Sequence, residues 1–190
     1  IISIRDRAGS DELITDENPQ GKIRWRGDYF FPMGGTALHI AINNNNQPLL
    51  EYLLSTGAST HKLNGRGLTP LALAILSKRE TFIRTIVNER PSSVNDHFDS
   101  SITQYPEGIR SSDCITTPLV FLCAQNNYEL ATLFLDKGAE PNALGLNGLS
   151  PLAIAVSANK QDFAARLIDQ GADINQKSKD MTPLIIACRE

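Results

Sequence analysis

A phrase of about 33 residues recurs along this chain, and no other feature limits the possible folds so severely. Aligned on a Thr or Ser that opens a short apolar run, the copies start at Thr36, Thr69, Thr117, Ser150 and Thr182, at intervals of 33, 48, 33 and 32 residues. Self-similarity at such a period marks a stacked repeat, because a unit this small buries its apolar face only against its neighbours.

The local chemistry of one unit is readable in the copy at 150–175. Ser150 is a good helix N-cap, and Pro151 at the first helical position gives up an N–H that would lack a partner anyway. A first helix therefore starts at about residue 151, with Leu152, Ala155 and Val156 as its core face and the small Ala155 allowing a neighbour to come close. Asn159 and Lys160 break it. Phe163, Ala164, Leu167 and Ile168 form the apolar stripe of a second, antiparallel helix, which Gly171 ends in the left-handed conformation that glycine tolerates best. A polar turn then leads to the next Thr-Pro.

These phrases resemble ankyrin repeats, whose consensus opens with TPLHxA and closes with GADxN. The openings are Thr36-Ala37-Leu38-His39-Ile40-Ala41, Thr69-Pro70-Leu71-Ala72-Leu73-Ala74, Thr117-Pro118-Leu119, Ser150-Pro151-Leu152-Ala153-Ile154-Ala155 and Thr182-Pro183-Leu184. The closes are Gly57-Ala58, Gly138-Ala139 and Gly171-Ala172-Asp173-Ile174-Asn175. The resemblance implies an all-α fold, an ankyrin-repeat solenoid of antiparallel helix pairs joined by β-hairpin-like turns. About four repeats and a partial fifth fill residues 34–190, and residues 1–33 are expected to cap or link the stack. A chain that begins with Ile1 and stops at "TPLIIACRE" reads as a fragment of something longer.

Three departures from the pattern carry expectations. The second copy closes with "NERPSSVND", and the 48-residue interval that follows places an insertion at 91–116. The third copy has Leu122 where alanine is usual, and the last turn is one residue short and lacks its glycine. Packing and hairpin shape should shift at these places. Irregular repeats with inserted loops also resemble those of bacterial effectors that act in the host cytosol.

The resemblance assigns His39, in the TPLH position, a hydrogen bond tying helix to hairpin, with no catalytic role. Cys123 and Cys188 share one repeat position on the first helix and are expected to be core. The insertion gathers Asp96, His97, Asp99, Asp113 and Cys114, types that can build a nucleophile or a metal clip, but no spacing fixes them on a rigid element. No P-loop, GxGxxG, HExxH, GxSxG or EF-hand pattern occurs, and no active site, metal or cofactor is expected. Leu167, Asp173 and Asn175 have the spacing that in ankyrin repeats resembles an asparaginyl hydroxylase substrate, so Asn175 is a candidate hydroxylation site. The alternative is that Asn175 closes the hairpin.

Composition removes other classes. The formal charge of -3 comes with no run of Lys or Arg, which argues against nucleic acid, although basic and aromatic residues alternate in "GKIRWRGDYFF". No apolar stretch reaches the roughly 20 residues that span a bilayer, so no membrane insertion is expected. Three cysteines without CxxC spacing fit a reducing, intracellular compartment, cytoplasm or nucleus.

A protein or peptide ligand remains, held on hairpin tips and the exposed face of the first helices. The family's variable positions fall on Gly65, Arg66 and Leu68, on Leu146, Asn147 and Leu149, and on Ser178, Lys179 and Met181 in the turns. On the helices they fall on Asn43, Asn44, Leu76, Ser77, Ala124, Gln125, Ser157 and Ala158. Leucine in a turn is unusual, so Leu68, Leu146 and Leu149 are either satellite core or an apolar patch for a partner. The domain could equally regulate or position an enzyme or channel elsewhere in a longer chain.

Overall fold

The computed structural model describes residues 35–99, 115–145, 148–178 and 180–189. The described residues hold nine α-helices, the first eight of which come as four pairs. They are α1 (Ala37–Asn43) with α2 (Gln47–Ser55), α3 (Pro70–Leu76) with α4 (Glu80–Glu89), α5 (Pro118–Ala124) with α6 (Tyr128–Asp136) and α7 (Pro151–Ser157) with α8 (Gln161–Asp169), followed by α9 (Pro183–Ala187). They fall into two compact units divided between Ser93 and Val94. In the first unit α1 packs on α2 and α3, and α4 on α2 and α3; in the second α5 packs on α6 and α7, α8 on α6 and α7, and α9 on α7.

Each first helix starts at the recurring Thr or Ser. The hydroxyls of Thr69, Thr117, Ser150 and Thr182 accept the backbone N–H three residues on, with Pro at the next position. Each complete first helix stops through a left-handed residue: Asn45, Lys78, Asn126 or Asn159. After α1 the Asn46 N–H reaches the Ala41 carbonyl and the Asn45 N–H reaches that of Ile42, the two bonds of a Schellman motif.

The second helices α2, α6 and α8 close the same way with Gly57, Gly138 and Gly171 in the left-handed position. The following alanine donates back into the helix (Ala58 to Leu53, Ala139 to Phe134, Ala172 to Leu167) and is buried. This explains why Gly-Ala recurs: glycine for the backbone and a small apolar side chain for the contact that accompanies the motif. In the third repeat the larger Leu122 is accommodated in the core, and its carbonyl still accepts the Asn127 N–H.

Two apolar positions expected in the core are on the surface. Ile168 is exposed, although its counterparts Leu54, Val87 and Leu135 are buried. Cys188 is exposed while Cys123 is buried. Ile168 lies on α8, after which no further second helix occurs among the described residues, and Cys188 and Leu184, the latter 71% exposed where Leu152 is buried, lie at α9, after which no helix is described.

The interval with extra length opens with a 3-10 helix, Pro91–Asn95, in place of Gly-Ala. It then forms a two-residue strand β1 (Phe98–Asp99), antiparallel to β2 (Ile115–Thr116), with Phe98 opposite Thr116. Residues 100–114 of the expected insertion, among them Asp113 and Cys114, lie outside the described residues, as do 1–34.

Candidate protein-binding surface

The hairpins and the ends of the first helices are set by hydrogen bonds that leave their tips in solvent. The first hairpin closes by Asn64 N–H to the Leu68 carbonyl (2.9 Å), and the Asn64 side-chain oxygen accepts the amides of Arg66 and Leu68. The second closes by Gly145 N–H to the Leu149 carbonyl (3.0 Å). Here glycine is required for space: a Cβ at Gly145 would lie 2.1 Å from Val120 Cγ1 and 2.9 Å from Thr116 Oγ1. The last turn is tighter, with Ser178 and Met181 exchanging both backbone bonds (2.8 and 3.1 Å), and Asp180 takes the left-handed position that Gly67 and Gly148 hold in the others.

His39 ties α1 to the first hairpin as the resemblance implies. Its Nδ1 receives the Thr36 amide (3.1 Å) and lies 2.9 Å from the Thr36 hydroxyl; its Nε2 is 2.9 Å from the Leu68 carbonyl. Since Nδ1 faces an N–H donor, the hydrogen sits on Nε2 and the ring is neutral. Burial pushes the imidazole pKa down, and the Leu68 carbonyl opposes that. A neutral, buried, doubly bonded ring is a structural strut.

The positions expected to meet a partner differ in exposure. Asn43, Asn44, Ser77, Ala124, Gln125, Ser157, Gly65 and Arg66 are exposed, and Leu76, Ala158, Leu149 and Met181 are half-buried. Leu68 is 2% exposed and belongs to the core: hairpin closure holds its carbonyl toward Asn64 and His39. Ser178 is likewise fully buried, its hydroxyl oxygen accepting the Ser150 amide at 3.0 Å. Neither side chain reaches solvent, so neither meets a partner directly. Leu146, Asn147 and Lys179 lie outside the described residues.

The described hairpin leucines that do stand out are Leu63 and Leu144, each 52% exposed. They occupy one repeat position, six residues before Thr69 and Ser150, a coincidence visible in the sequence.

Arginines and asparagines join successive repeats. Arg79 donates to the Asn43 carbonyl (3.2 Å) and the Asn45 side chain, and Arg90 to the Leu54 carbonyl (2.9 Å), placing positive charge at the C-terminal ends of α1 and α2 where the helix dipole favours it. In the second unit the Asn142 side chain donates to the Gly171 carbonyl (3.0 Å) and accepts the Asp173 amide (2.7 Å). Asn95 makes the same pair of bonds to Gly138 and Glu140 (3.1 and 2.8 Å), so the 3-10 helix supplies what a GADxN close would have supplied. Asn175 is exposed and its side chain makes no hydrogen bond among the described residues.

Reactive chemistry is sparse. The Cys123 thiol is pushed up to about 12 by burial, with its own backbone lowering it slightly, which leaves it protonated and inert. Among the described residues no three His, Cys, Asp or Glu side chains come together as a metal site, and no helix is long and apolar enough to cross a membrane.

Helix pairs repeated at fixed register, with polar side chains spent on caps and inter-repeat ties, define a repeat scaffold whose available chemistry lies on its surface. The chain belongs to the ankyrin repeat family: the family model described as ankyrin repeats (3 copies) matches residues 12–97 and 117–190. It is 24% identical over 151 residues to transient receptor potential cation channel subfamily A member 1 of Homo sapiens, covering 80% of this chain and 12% of that one. It is 26% identical over 154 residues to neurogenic locus notch homolog protein 1 of Danio rerio (80% and 6%) and 29% over 175 residues to ankyrin repeat protein nuc-2 of Neurospora crassa (80% and 16%). The chain thus spans a small fraction of each relative's length. Ankyrin repeats are in general protein-interaction modules and non-catalytic.

Proposed function

We propose that this chain binds a partner protein or peptide through the hairpin tips and the C-terminal ends of its first helices, in a reducing intracellular compartment. What carries the reading is a contrast within each repeat. The inward faces of the first helices are buried, while Asn43, Asn44, Ser77, Ala124, Gln125 and Ser157, at two adjacent repeat positions, stand in solvent, as do the hairpin residues Leu63 and Leu144. A varied, solvent-facing set on a rigid, repeated backbone is what a recognition surface needs.

Residues 1–33 serve in this reading as a cap or linker, and Leu149 and Met181 border the surface. The similarity to a cation channel subunit supports a second setting for the same surface, an intramolecular one, in which the partner is another domain of a longer chain. Asn175, exposed and without the bonds that engage Asn142, is free for modification by an asparaginyl hydroxylase. Intact-mass analysis after incubation with the enzyme and its cosubstrates should show one added oxygen on that peptide; an unchanged mass removes this assignment.

Photo-crosslinking tests the main reading. A benzophenone side chain at Ser77 or Gln125 should capture the partner from cell extract, whereas one at Tyr52 or Arg84 on the second helices should not. Capture from the second helices alone would refute it.

A further inference from the structure

The net charge of the chain conceals an opposition between the described parts of its two units. Residues 35–93 carry six Lys and Arg against three Asp and Glu, whereas the described residues from 94 onward carry five against nine. Within the first unit the signs are also segregated. The three acids among its described residues, Glu51, Glu80 and Glu89, lie on the second helices α2 and α4. The hairpin and the first helices with their ends carry Lys62, Arg66 and Lys78 and no acid. Lys62 and Arg66 are exposed and form no ion pair among the described residues, and exposed Leu63 stands between them in sequence.

Resting on the binding role proposed above, we infer that the first hairpin takes an acidic peptide segment that also brings an apolar side chain to Leu63. Like charges that form no ion pair among the described residues and flank an apolar residue in sequence favour a carboxylate-bearing segment, which neutralises them while covering the leucine. Arg66 offers a planar fork suited to a carboxylate, and its backbone is pinned by the Asn64 side chain at 2.9 Å, so the backbone needs little ordering on binding. The second unit does not share this preference: among the described residues its exposed hairpin charges are Glu140, Asp173 and Asp180 against Lys177. Nucleic acid fits less well, because residues 59–68 contain no Phe, Tyr or Trp on which a base could stack, and two cations are few for a phosphate backbone.

The test is selection of a phage-displayed library of random dodecapeptides on the whole chain, with the recovered peptides measured against variants. Enriched peptides should be net acidic with an apolar residue, should weaken about tenfold or more against K62E/R66E and against L63S, and should weaken with added salt. Neutral or basic peptides indifferent to these changes would overturn the inference, as would a twenty-residue oligothymidylate binding more tightly than the peptides. Peptides lost with Q125R or L144S but not with K62E/R66E or L63S would leave the general surface standing and remove the acidic preference. Indifference to all four variants would remove both. Unchanged circular dichroism and melting temperature of K62E/R66E confirm that the fold is intact, as expected for exposed side chains.

Discussion

Replacing Asn142 by alanine deletes both bonds that its side chain makes to the following repeat, at the Gly171 carbonyl and the Asp173 amide. A neutral hydrogen bond contributes about 0.5–1.5 kcal/mol net, so the pair is worth about 1–3 kcal/mol. Asn142 is half-buried and Gly171 exposed, so water reaches the groups left behind, and the lower part of that range, about 1–2 kcal/mol, is expected. Asn175→Ala is the internal control, because the same residue type at the same repeat position makes no side-chain bond among the described residues; its effect should stay within about 0.5 kcal/mol. Urea unfolding of the two variants against the parent measures the difference. Native-state hydrogen exchange locates it: the Asp173 amide should exchange about tenfold faster for each 1.4 kcal/mol lost locally. Equal stability of the two variants would refute the view that asparagine at this position joins neighbouring repeats.

The buried hairpin leucine and the exposed one should behave oppositely. Leu68→Ala should cost about 2–5 kcal/mol by urea unfolding, while Leu63→Ser should leave stability within about 0.5 kcal/mol. Gly145→Ala should destabilise by about 1–3 kcal/mol, since its Cβ meets Val120, and a double-mutant cycle with Val120→Ala should show coupling. The His39 pKa is lower folded than unfolded, so the unfolded chain takes up the proton first. Stability from this residue is therefore full above the unfolded value near pH 6.5 and declines as pH falls through and below it. In a pH series of urea unfolding, His39→Gln should lack this component. With maleimide under native conditions, Cys188 should react and Cys123 should not until the protein unfolds, read by peptide mass mapping.

Much of the fold was legible because ankyrin repeats are punctuated by residues whose chemistry is local. Thr69, Thr117, Ser150 and Thr182 cap through their own hydroxyls, and Gly57, Gly138 and Gly171 adopt the one conformation that their position demands. What local chemistry left open was settled by neighbours. Lys78 ends α3 in a left-handed conformation that its side chain does not favour, because the Schellman bonds at that position fix the backbone. Asn95 takes over the role of Asn142 from a 3-10 turn with no Gly-Ala to announce it. Within the candidate surface, the inward side of a hairpin is decided by its closing bond. The leucine next to the Thr cap, Leu68, turns in, and the signal pointing outward was the repeat coincidence of Leu63 and Leu144.

Hydrogen exchange of the complex with a crosslinked or selected partner bears most directly on the binding face. Amides at 43–46, 63–67, 76–78 and 124–126 should slow on binding, while those on the outer faces of α2, α4 and α6 keep their free rates. Protection confined to the second helices, with the hairpin amides unchanged, would contradict the account.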